Sequence, residues 1–64
     1  MNLIKMLCEC GNEFVADGGV MDNSIAYEIA ESLLEDPAVL KEAKKLWPNK
    51  SKDILKEIMA DYIW

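Results

Sequence analysis

Residues 2–17 read NLIKMLCECGNEFVAD, and the conformation of this stretch decides what the rest of the chain packs against. Leu3, Ile4, Met6 and Leu7 form an apolar run too short for its period to settle its conformation. Gly11 and Asn12 follow, two residues that tolerate positive φ, and Phe14-Val15-Ala16 resumes an extended-looking segment. The simplest expectation is a β-hairpin over about residues 2–17, with 2–8 paired to 13–17 across a turn at Gly11-Asn12. Gly18-Gly19 then interrupts the chain. An isolated hairpin is marginal in water, so it needs a surface to lie on.

The remaining residues supply one. Asp22, Asn23 or Ser24 can cap a helix over about 23–35 whose apolar positions are Ile25, Ala26, Ile29, Ala30, Leu33 and Leu34. Asp36-Pro37 ends it and starts the next, because Asp caps well and Pro suits the first helical position. Val39, Leu40, Ala43, Leu46 and Trp47 give an inner face to a helix over 37–47, stopped by Pro48. Asn49 or Ser51 opens a third helix over 51–63, with Ile54, Leu55, Ile58, Met59, Tyr62 and Ile63 along one side. The expected fold is therefore α+β and mainly helical, a short N-terminal hairpin packed on three helices. The 64 residues form a single domain, with no repeat and no dividing linker.

Composition narrows the function. Two cysteines allow one bridge, and extended residues i and i+2 place their Cα atoms roughly 6.5 to 7 Å apart with parallel side chains, so the thiols are expected to be reduced. Reduced thiols suit a cytoplasmic chain. Lys5 interrupts the first apolar run, and no apolar span long enough for a membrane follows. The net charge of −5 is unevenly spread: residues 1–37 carry eight acids and one lysine, residues 38–64 six lysines and four acids, giving −7 and +2. Arginine, the preferred bidentate reader of phosphates and bases, is absent. Histidine is also absent, and there is no nucleophile elbow, no phosphate-cradling glycine loop and no paired acids with a reason for a raised pKa. The chain is expected not to be an enzyme.

Four features remain as candidate sites. Cys8-Glu9-Cys10-Gly11-Asn12-Glu13-Phe14 resembles half of a zinc knuckle, with C-x-C in place of C-x-x-C and no second pair. Structural zinc takes four ligands, so a single chain would need Cys8, Cys10 and two carboxylates, and no resident cofactor is expected. The resemblance leaves open a zinc ion shared between two chains, a homodimer stapled through Cys8 and Cys10; the alternative is two packed thiols bound to nothing. Glu28, Glu31 and Glu35 lie at i, i+3, i+7 on one solvent face, where like charges repel by roughly 0.2–0.5 kcal/mol per pair. They either keep the chain soluble or attract a basic partner. Lys41, Lys44, Lys45, Lys50 and Lys52 cluster near the junction of the last two helices, and LKEAKKLWPNKSKDILKEI (residues 40–58) resembles the helix-turn-helix of bacterial and phage DNA-binding modules. That resemblance implies DNA contact through Lys44, Lys45, Lys50 and Lys52, to phosphates before bases. Finally, Tyr62 and Trp64 flank Ile63, offering either core packing or an aromatic anchor for a partner or a second copy.

In size, acidity and lack of catalytic groups the chain is similar to regulators and inhibitors encoded by phages and other mobile elements. The resulting expectation is a non-enzymatic protein-binding regulator. Glu28, Glu31, Glu35, Tyr62 and Trp64 would form its contact surface, and the partner would be a larger protein with a basic nucleic-acid-binding surface whose phosphate ligands the glutamates imitate.

Overall fold

Leu3, Leu7 and Gly11 recur at four-residue spacing, and Met6, Cys10 and Phe14 form a second such row. Two adjacent rows of this period make one stripe on a helix, not alternate faces of a strand. The computed structural model, which describes residues 2–64, follows that pattern with four α-helices: α1 Leu3–Ala16, α2 Asn23–Leu34, α3 Pro37–Leu46 and α4 Lys52–Ile63. No strand occurs among the described residues. The fold is all-helical, and the expected N-terminal β-hairpin is corrected to a helix.

The signals that define α1 lie at its ends. The Asn2 side chain accepts a hydrogen bond from the backbone N–H of Lys5 at 3.1 Å, satisfying one of the free donors of the first turn. At the other end Gly18 N–H bonds to the Val15 carbonyl and Gly19 N–H to the Phe14 carbonyl, each at 3.0 Å. These are the two bonds of a Schellman motif, and Gly18 supplies its left-handed residue with φ 92°. The Phe14 ring packs over Gly19, where an added Cβ would lie 2.6 Å from Cδ1. The positive φ expected at Gly11 is therefore found seven residues later, at Gly18. Gly11 is interior to α1 and buried.

Gly11 is small because α4 crosses there. A Cβ built on it would collide with the backbone carbonyl oxygen of Ile63 and sit 3.1 Å from the carbonyl carbon. Small residues at a crossing let two helix axes approach, and Ala26, Ala30, Ala43 and Ala60 are buried among the larger core residues. α4 packs most heavily on α2 and next on α1, whereas α3 rests on α2 and α1, and the pairs α1/α2 and α3/α4 hardly touch. The core consists of Leu3, Leu7, Leu34, Leu55 and Met59, fully buried, with Val39 and Ile63 beside them. Each of the large side chains contributes about 1.5–3 kcal/mol by leaving water.

Three further caps fix the other helices. Asp22 accepts from the Ile25 N–H and Asp36 from the Ala38 N–H, each at 2.9 Å, and Ser51 accepts from the Ile54 N–H at a longer 3.4 Å. Pro37 opens α3 at its first position. α2, α3 and α4 each stop within one residue of the bounds that the apolar spacing predicts. The radius of gyration, 11.1 Å, is close to the ~11 Å of a folded chain of this length. No helix among the described residues is long and apolar enough to cross a membrane.

Candidate functional site

α2 presents its apolar rows to α4 and α3, which leaves Glu28, Glu31 and Glu35 on its outer side, all three exposed. Nothing on α2 offsets them. The helix has no basic residue in its last turn, and Glu35 is its C-cap. Carboxylates there face the negative end of the helix dipole, at a cost of roughly 0.3–1 kcal/mol each for exposed groups.

A different helix faces two of them. Glu31, Leu34 and Glu35 of the α2 end line a cleft of about 240 Å³ whose opposite wall is Lys52, Asp53 and Lys56 from the first turns of α4. The structure thus divides the acidic stripe. Glu31 and Glu35 look across a cleft at two ammonium groups, while Glu28, a turn earlier, is outside it. Sequence spacing could not show this, since Lys56 is 25 positions from Glu31; its only local mark is the four-residue interval between Lys52 and Lys56, which places both on one side of α4.

The same cleft splits the lysine cluster. Lys41, Lys44 and Lys45 are exposed on the outer side of α3 and Lys50 is exposed in the turn after it, but Lys52 belongs with three carboxylates. A helix-turn-helix holds its two helices against each other to aim the second into a groove. Here α3 and α4 hardly pack, and the geometry gives that resemblance no support.

At the other end of α4 the aromatic residues separate. Ile63 is in the core. Tyr62 stacks on Trp47, with ring centroids 6.1 Å apart and planes inclined at 29°, so it is partly used within the chain. Trp64, two residues on and therefore turned by about 200°, is 62% exposed. Of the two proposed aromatic contacts, Trp64 is the free one. The role of Trp47 as the partner of Tyr62 is visible only in the fold. Ile54, 42% exposed and two turns before Tyr62, completes a half-exposed apolar row on this flank of α4 with Ile58.

Placing residues 8 and 10 on a helix turns their side chains about 200° apart. Cys8 is exposed and Cys10 half-buried, and burial, then the carboxylates of Glu13 and Glu9, push the Cys10 thiol up from its ordinary value. Two thiols that diverge cannot converge on one ion, so one chain does not offer the pair that a shared zinc needs. No group of three or more metal-ligating side chains occurs among the described residues.

Family models, curated proteins and solved structures were compared with the chain, and none matches.

Proposed function

We propose that this protein is a small non-enzymatic regulator or inhibitor that binds a larger protein through the acidic outer face of α2. The observation that carries the reading is the charge order of α2: three exposed glutamates, no lysine, and two of the three acids at the end where the helix dipole opposes them. A fold this small has little stability to spare, and neutral or basic residues at the same exposed positions would stabilise the helix. Retaining acids there is costly for folding and useful for binding. Carboxylates spaced along one helix face resemble a short row of phosphates, which suits a partner whose own ligand is nucleic acid. Electrostatic attraction of this kind speeds encounter and selects against acidic partners. Trp64, the exposed aromatic on another face of the molecule, is the second contact in this reading.

The test is affinity capture from the native host, with the immobilised protein challenged by duplex DNA as competitor. A captured protein that DNA displaces, and that the variant Glu28→Lys/Glu31→Lys/Glu35→Lys no longer holds, is the expected outcome. Full binding by that triple variant would sink the proposal.

A further inference from the structure

α4 buries Leu55, Met59 and Ile63, and a second row beside them, Ile54, Ile58 and Tyr62, is left half covered. Ile54 is 42% and Tyr62 40% exposed, with Ile58 half-buried between them. At four-residue spacing the three side chains form one ridge of the helix surface, about 12 Å long. Trp47 stacks on Tyr62 and so brings the end of α3 to the far end of the ridge. The charges beside the ridge have one sign. Glu57 and Asp61 are both exposed, and each follows an isoleucine of the row by three residues, hence is its neighbour on the helix surface. The two lysines of α4 are elsewhere. Lys52 and Lys56 each sit two residues from an isoleucine, turned about 200° from it, and they line the cleft against α2. Asp53 lines that cleft as well, which leaves Glu57 and Asp61 as the acids of the ridge.

We infer that this face of α4 is a docking surface for a basic amphipathic helix of another protein. The ridge accepts the apolar stripe of such a helix, and Glu57 and Asp61 then meet the lysines or arginines that border the stripe. A second copy of the chain does not fit. Packed antiparallel about a two-fold axis, the ridge meets itself with Glu57 and Asp61 of both copies on the same side, acid against acid. Packed parallel, it offers those acids no cation of α4, because Lys52 and Lys56 are turned to the cleft. The inference goes beyond the regulator reading, since it uses a different helix and needs none of the α2 glutamates.

The test is a titration of the isotope-labelled protein, followed by proton-nitrogen correlation spectra, with a synthetic peptide of about 14 residues whose leucines and lysines form a four-turn amphipathic helix. Two control peptides replace every lysine by glutamate or every leucine by glutamine. The expected result is saturable binding of the first peptide, with shifts centred on the amides of Ile54, Glu57, Ile58, Asp61 and Tyr62, and an affinity at least about tenfold lower for either control. Glu57→Lys/Asp61→Lys should weaken binding of the leucine-lysine peptide at least about tenfold, because two attractive contacts become repulsive, and the loss should shrink as salt is raised. Both positions are exposed and Lys is a good helix former, so unchanged circular dichroism is expected. No saturable binding, undiminished binding by the double variant, or equal binding of either control would overturn the inference. So would ridge shifts that appear on concentrating the protein alone, which would assign the ridge to a second copy, or shifts centred on Glu28, Glu31 and Glu35 that spare α4. Failure of the α2 triple variant to lose its captured partner would count against the regulator reading only.

Discussion

Replacing Gly11 by Ala separates the two accounts of the N-terminal segment by the sign of a stability change. In an exposed helix interior the substitution would stabilise by about 1 kcal/mol, the difference in helix propensity. Gly11 is not exposed. Its new methyl group would overlap the Ile63 carbonyl oxygen and lie 3.1 Å from the carbonyl carbon and 3.6 Å from Cα, and these are backbone atoms that no rotamer change can move aside. α1 and α4 must separate, which also loosens Leu7 and Ile63. Overpacking of this kind costs about 1–3 kcal/mol, and an unyielding obstacle places it toward the upper figure. Set against the propensity gain, the net loss is about 1–2 kcal/mol, or roughly 4–16 °C in Tm for a domain this small. The paired control is Asn12→Ala, on the exposed side of the same helix, which should gain a few tenths of a kcal/mol. In a hairpin both residues would form the turn and both substitutions would destabilise. Urea titration followed by far-ultraviolet circular dichroism reads the two signs. Gly11→Ala at or above wild-type stability would refute the crossing of α1 and α4 at this residue.

Two further outcomes follow from local geometry. Asp22→Ala and Asp36→Ala should each cost about 1 kcal/mol, and Ser51→Ala should cost less, because its capping bond is 3.4 Å against 2.9 Å for the aspartates; thermal melts of the three variants check the order. For the cysteines, a thiol-specific reagent should modify exposed Cys8 at neutral pH and leave Cys10 slow until the pH rises. The folded chain holds the Cys10 proton above the ordinary value of 9.0, so the associated stability is complete below pH 9.0 and is lost as pH climbs through the raised value. Subtracting the pH profile of Cys10→Ser isolates that loss, and identical alkaline profiles for the two proteins would contradict it.

The helices over residues 23–63 were legible because each carries both a periodic apolar row and a strong boundary: Asp22 at one start, Asp36-Pro37 at the next, Pro48 and Ser51 at the last. α1 carries boundaries too, Asn2 and Gly18-Gly19, but its interior glycine coincides with a residue pair that also makes a hairpin turn. Glycine's two uses compete at that position. One is conformational, a positive φ, and the other is steric, room for a neighbouring backbone; only the partner helix distinguishes them, and α4 begins 41 residues after Gly11. The exposed charges were equally legible as single residues. What sequence could not supply was their company, since the cleft that sets Lys52 and Lys56 opposite Glu31 and Glu35 is made by the packing of α2 on α4.

That company bears on how the acidic face works. Were Glu28, Glu31 and Glu35 an undisturbed stripe, all three would repel one another and attract a basic surface alike. Two lysines of α4 line the same cleft as the acids at the α2 C-terminal end, so those acids have cations of their own chain nearby. Glu28 has no such neighbour in the cleft and lies nearer the middle of its helix, where the dipole has little effect. In the proposed mode of binding, a cation approaching Glu28 meets no lysine of the cleft, whereas one approaching Glu31 or Glu35 comes near Lys52 and Lys56. The three glutamates are unequal for that reason, and were the chain to bind a basic partner as proposed, Glu28 would be the acid that meets it away from the α4 lysines.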